Sequence, residues 1–235
     1  MTAKLLTLLF CLISLPLVAT SVIDSNNLHF RNGIYYQKNQ SQPFTGIAET
    51  YKTKANVKYK SSEAQYNQGK KEAETTYHPN GKIKYQETYL NGRINGVFNE
   101  WYDNGQKARE IEFNNGDIVG TVSTWYKNGQ LKRQKPYQNN KKNGVEIWWY
   151  SNGTKQAEIN YKDGVFDGLF SQWYENGIKA SEYFFENGKP NNGIFTKWFA
   201  NGQKMMEIEF VSGRNMKQKC WAKDGKERLW FMCNL

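Results

Sequence analysis

Trp101-Tyr-Asp-Asn-Gly105, Trp125-Tyr-Lys-Asn-Gly129, Trp149-Tyr-Ser-Asn-Gly153, Trp173-Tyr-Glu-Asn-Gly177 and Trp198-Phe-Ala-Asn-Gly202 are near copies of one another, and their tryptophans stand 24, 24, 24 and 25 residues apart. A period of this length marks units too small to bury an apolar face alone, so a stack of like modules is expected rather than one globular core. Asn-Gly between apolar-rich runs is the strongest short signal for a two-residue type I′ hairpin turn, whose central residues both need positive φ. Returning strands end on Tyr89, Phe113, Tyr137, Tyr161, Phe185 and Phe210, and a second turn follows at Gly69, Gly92, Gly116, Gly164, Gly188 and Gly213. Asn140 stands where one of these glycines is missing, and Asn tolerates the left-handed conformation best after Gly. The expected fold class is therefore all-β: an elongated, solenoid-like antiparallel sheet of consecutive hairpin repeats of about 24 residues.

Less regular units extend the array in both directions. Tyr77-His-Pro-Asn-Gly81 has Tyr in place of Trp, Gly46 to Gly69 reads as a first unit with a long Lys-rich hairpin at Lys52–Lys60, and Asp224-Gly225 is a weaker last turn. The expected organisation is a signal peptide at 1–23, an N-terminal cap at 24–45, repeats over 46–216 and a C-terminal cap at 217–235. Lys4, the apolar run Leu5 to Val18 and the small residues Ala19, Thr20 and Ser21 follow the pattern of a cleaved secretory leader. The run is short for a membrane span, and an uncleaved anchor is the alternative. The mature chain is expected to be exported, periplasmic or secreted.

Thirty-two basic against 22 acidic residues leave a formal charge of +10, which favours anionic partners. Lys and Glu are interspersed in each repeat, however, as in Lys107-Ala-Arg-Glu110, which is also what a solvated strand face looks like. Cys220 and Cys233 are a candidate disulfide in an oxidising compartment. A two-residue turn at Asp224-Gly225 would set Cys220 opposite Leu229, so Cys233 would have to curl back to reach it.

Neighbouring residues on a strand point to opposite faces, so each Trp-Tyr pair is expected to feed two ladders with rungs roughly 10 Å apart. Trp101, Trp125, Trp149, Trp173 and Trp198 form the structural ladder, and Tyr102, Tyr126, Tyr150, Tyr174 and Phe199 the candidate binding face. Packing of both rows is the first reading; the alternative, that one row lines an exposed groove, follows because a single-layer sheet cannot bury both faces.

These units resemble the bacterial variant of the MORN repeat, Gly-x-(aromatic or aliphatic)-x-x-Trp-Tyr-x-Asn-Gly, over about residues 46–225. The resemblance implies an elongated sheet of hairpins that binds proteins or membrane lipids rather than catalysing a reaction. Many bacterial members are labelled as the antitoxin component of a toxin–antitoxin pair. A periplasmic immunity protein, neutralising a toxin delivered to that compartment, would reconcile the label with an export signal.

The residues themselves supply no catalytic constellation. His29 and His78 lack companions at metal-ligand spacing, and no Gly-x-Ser-x-Gly, phosphate-binding loop or metalloprotease motif occurs. Glu110, Glu158, Glu182 and Glu207 recur at one repeat position, where pairing across strands with Lys or Arg is expected. Repeat-related carboxylates would stand roughly 10 Å apart, at the upper limit for glycoside hydrolysis. We therefore expect no enzyme activity, no cofactor, no metal and no nucleic-acid partner. The expected function is that of an exported scaffold binding a protein, with a toxin or effector as its sharpest case and an envelope glycan or anionic lipid as the alternative ligand.

Overall fold

The computed structural model describes residues 21–211 and 214–229. Most of the leader, the turn at Gly213 and Cys233 lie outside these residues. Alternating patterns rich in aromatic and β-branched side chains form strands that pair with their sequence neighbours. The order runs Gly46–Lys54, Val57–Asn67, Lys70–Tyr77, Ile83–Leu90, Gly96–Trp101, Lys107–Asn114, Asp117–Trp125, Leu131–Gln138 and Gly144–Trp149. It continues through Lys155–Lys162, Val165–Trp173, Lys179–Glu186, Gly193–Trp198, Lys204–Val211, Arg214–Trp221 and the short Glu227–Arg228. Every pairing in this series is antiparallel, so the chain is one long sheet of consecutive hairpins. The extra residue behind the 25-residue spacing is taken up at 191–192, between the strand pieces Lys189–Pro190 and Gly193–Trp198.

The two turns of each unit are built differently, and this corrects the turn type expected from sequence. At the second turns both central residues have positive φ, as at Asn115 (51°) and Gly116 (91°) or Asn139 (49°) and Asn140 (60°). These are the type I′ turns. At the first turn only the glycine is left-handed: Gly105 has φ 93°, whereas Asn104 is not among the positive-φ residues. Gly105 N–H donates to Tyr102 C=O (2.9 Å), and Tyr102 N–H donates to Gln106 C=O (2.8 Å), so Tyr102 opens a wider turn. The register then shifts beyond it, between Lys107 and Arg109. At Asp224-Gly225 the same wider turn sets Cys220 opposite Arg228 rather than Leu229.

Buried apolar clusters sit at the two ends. Phe44, Ala48, Ala64 and Tyr66 are covered by Ile23, Leu28 and Tyr35, which belong to the segment before the first repeat. In that segment Val22–Asp24 runs parallel to Gly46–Lys54, and Leu28–Arg31 pairs with Ile34–Gln37 as a separate hairpin. The parallel strand straddles the expected 23/24 boundary, and cleavage at the small residues 19–21 would leave it in place. At the other end Met206, Ile208 and Cys220 pack with Phe195, Met205 and Phe210.

Candidate functional site

The repeat-defining residues hold one unit to the next. Each first-turn tyrosine donates its hydroxyl to the carbonyl of the following unit's tryptophan: Tyr102 to Trp125 (2.8 Å), Tyr126 to Trp149 (2.8 Å), Tyr150 to Trp173 (2.9 Å) and Tyr174 to Trp198 (2.8 Å). His78 fills the same role, with Nε2 donating to Trp101 C=O at 2.9 Å. Asn104 uses both ends of its amide. Its Oδ1 accepts from Gln106 N–H (3.0 Å) within the turn, and its Nδ2 donates to Lys127 C=O (2.8 Å) in the next unit. Asn80, Asn128, Asn152, Asn176 and Asn201 repeat the pattern. Thus the strands end at Trp and the Tyr begins the turn, which corrects the expectation of two ladders on opposite faces of a continuing strand. Both rows, Trp101, Trp125, Trp149, Trp173 and Trp198 and Tyr102, Tyr126, Tyr150, Tyr174 and Phe199, are half-buried.

Cross-strand register then defines two faces. On one, a row runs Asn99, Glu110, Ser123, Gln134, Ile147, Glu158, Ser171, Glu182, Thr196 and Glu207. The recurring glutamates pair not across strands, as expected, but with the lysine three residues earlier on their own strand. Lys107 lies 2.5 Å from Glu110, Lys155 2.7 Å from Glu158 and Lys204 2.5 Å from Glu207, and Lys179 pairs with Glu182. The register shift after each first turn brings the two side chains to one side. The same lysines approach tryptophan rings, as Lys155 does Trp173 at 5.2 Å, so these carboxylates are neutralised within a cation–aromatic lattice.

The other face carries the row Phe98, Ile111, Val122, Lys135, Glu146, Ile159, Phe170, Tyr183, Phe195 and Ile208. Two adjacent members of this otherwise uncharged row are ionic. Glu146 is fully buried, at 0% exposure, and is held by Arg133, by Lys142 (2.9 Å) and by the Trp148 Nε1–H (2.6 Å). Burial acts to raise its carboxyl pKa, and the hydrogen bonds from Arg133 and Lys142 reverse this, holding it below the usual carboxylate value. Lys135 faces Val122, and it has neither hydrogen bond nor ion pair among the described residues. Burial and then the Arg133 charge push its ammonium below the usual lysine value.

Beside these residues a cleft of about 620 Å³ opens, lined by Arg109, Arg133, Lys135, Thr124 and Trp148 and reaching the turn residues His78, Tyr102, Asp103 and Lys127. Recurrence alone does not single out this constellation. The signal is departure from the repeat, since Lys135 stands where other units have Ile111, Ile159 and Ile208, and Glu146 where they have Phe98, Phe170 and Phe195.

The cysteines divide: Cys220 is disulfide-bonded, and Cys233 lies outside the described residues. Among the described residues no group of His, Cys, Asp and Glu is arranged to hold a metal, and no helix is long and apolar enough to cross a membrane.

A single sheet of hairpins whose signature residues fasten each unit to the next defines a β-repeat scaffold. Five consecutive segments, residues 73–91, 94–115, 118–139, 142–163 and 166–187, match the family described as MORN repeat variant. No curated protein matches the chain.

Proposed function

We propose that this chain is an exported, non-enzymatic scaffold that holds a protein partner against its ring-bearing surface. The supporting observation is the row Tyr102, Tyr126, Tyr150 and Tyr174, extended by Phe199. Each ring is half-buried at the same place in its repeat, and the four tyrosines are tied at the hydroxyl. Rings fixed in advance lose little freedom on docking, and Tyr is enriched among residues that dominate interface energetics. The leader pattern at 1–23 and the disulfide at Cys220 suit an oxidising compartment. A toxin or effector delivered there is the sharpest form of the partner. The competing ligand, an envelope glycan or anionic lipid, draws on the net charge of +10.

The test compares capture of proteins from envelope extract by the wild type, Tyr126→Ala/Tyr150→Ala and Tyr126→Phe/Tyr150→Phe, with co-sedimentation on peptidoglycan and anionic vesicles in parallel. The Phe pair keeps the rings and loses only the clips, so it should retain the partner, whereas the Ala pair should release it. Undiminished capture by the Ala pair would overturn the role of this row, and co-sedimentation without protein capture would favour the competing ligand.

A further inference from the structure

Repetition explains nearly every polar contact in the sheet, and the cleft beside Trp148 is where that explanation stops. Three of its cations are already matched, whereas Lys132 and Lys135 have no ion pair among the described residues. Arg109 pairs with Glu100 (2.8 Å), Lys127 with Asp103 (2.8 Å), and Arg133 with the buried Glu146. Lys135 is half-buried, faces the apolar Val122 and has no hydrogen bond or ion pair among the described residues. Burial and then the Arg133 charge lower its affinity for a proton, and the nearby Glu146 carboxylate, itself bound by Arg133 and Lys142, offsets this only in part. A partly desolvated ammonium without a directly paired anion is unfavourable in the free protein and is relieved when an anion arrives.

We propose that this cleft is the point at which the protein partner docks, and that it receives a carboxylate from an acidic segment of that partner, set against Lys135 with the Arg133 guanidinium beside it. The inference rests on the protein-partner reading above.

Three features select this ligand. Two cations without an ion pair, Lys132 and Lys135, beside internally neutralised pairs suit the carboxylates of an acidic segment. The Trp148 ring is not free to stack on a sugar, because the Arg133 guanidinium covers it at 3.8 Å and the indole N–H is committed to Glu146. The volume, about 620 Å³, accommodates a few side chains. Trp and Arg at the centre of a partly desolvated pocket are also the residue types that anchor protein interfaces.

The decisive variant is Lys135→Ile, which installs the residue found at this position in three other repeats and so is expected to fold. Binding of fluorescein-labelled hexaglutamate is followed by anisotropy for the wild type, for K135I and for Lys217→Ala, which removes one exposed positive charge elsewhere. K135I should weaken Kd at least tenfold, and K217A should change it less than twofold. The inference is overturned where K135I binds within twofold of the wild type, or where K217A loses as much as K135I, since binding would then follow net charge alone. The same three proteins are compared for capture from envelope extract. No retention by the wild type overturns the protein-partner reading itself; equal retention by wild type and K135I overturns the acidic-segment inference alone.

Discussion

Two neighbouring stretches of the sheet share their turns and inter-repeat clips yet place charge on opposite sides. In the pair Lys107–Asn114 and Asp117–Trp125, Glu110 and Ser123 lie on the polar face and Ile111 and Val122 on the other. In the pair Leu131–Gln138 and Gly144–Trp149, the polar face carries Gln134 and Ile147, while Lys135 and Glu146 enter the apolar row. Glu and Ile have in effect exchanged faces. The stack tolerates this because its cohesion comes from backbone pairing and from the Tyr and Asn clips at the turn, neither of which depends on what the strand centre presents. Residues that recur maintain the array, and residues that break the recurrence are free to carry a specific task.

The largest expected effect lies at the centre of the irregular repeat. Glu146→Ala empties a buried site and takes the partner from Arg133 and Lys142, and should lower stability by about 1–3 kcal/mol, measured as a shift in urea midpoint. Glu146→Phe with Lys135→Ile copies the regular repeats, and is expected to be neutral or stabilising by up to about 4 kcal/mol. Arg133 and Lys142 remain 25% and 26% exposed, so both can turn toward solvent once the carboxylate is gone. A double variant as unstable as Glu146→Ala would show that this repeat needs its charges to fold.

Acid provides a second contrast. The Glu146 carboxyl titrates below its ordinary value of 4.5, so its contribution is fully present above that pH and is lost as pH falls through the lowered native value. Wild type and Glu146→Gln should therefore differ most near neutrality and converge only as pH falls from 4.5 through the lowered native value. A difference between wild type and Glu146→Gln that does not shrink in acid would remove this contribution.

Where the two regions are alike, equal effects are expected. Tyr102→Phe removes the clip onto the regular repeat at Trp125, and Tyr126→Phe the clip onto the irregular one at Trp149. Each should cost about 0.5–1.5 kcal/mol by thermal or chemical denaturation. A much larger loss for Tyr126→Phe would mean that the irregular repeat leans on its neighbour more than the geometry indicates.

Legibility in the sequence follows the same division. The hairpin array could be read because Trp, Asn and Gly recur at fixed spacing, and turns constrain residue type strongly. The turn type could not, since Asn-Gly serves both a type I′ turn and a turn with only the glycine left-handed. What selects Asn104 is a hydrogen bond to Lys127, 23 residues away, which no reading of one unit displays. The same holds for the tyrosine hydroxyls, whose partners are backbone atoms of the next unit. The cleft escaped notice because a motif is defined by what repeats, whereas Lys135, Glu146 and Trp148 stand out only when each repeat position is compared down the array.

The smallest expected effect asks whether the irregular repeat can be given the feature it lacks. Leu131 and Gln134 occupy the positions of Lys107 and Glu110, so Leu131→Lys with Gln134→Glu would install the Lys–Glu pair found in its neighbours. The two side chains should meet, because the register shift that brings Lys107 to Glu110 recurs at this hairpin, between Thr124 and Trp125 against Leu131 and Arg133. Exposed pairs of this kind are worth about 0.2–1 kcal/mol, and Leu131 gives up some contact with its surroundings, so only the coupling in a double-mutant cycle isolates the pair. That coupling should be positive at low ionic strength and shrink in about 1 M salt, where screening acts within roughly 3 Å. A coupling of zero at low salt would mean that the exchange of faces has also altered the strand beneath, and that the irregular repeat differs from its neighbours in backbone as well as in side chains.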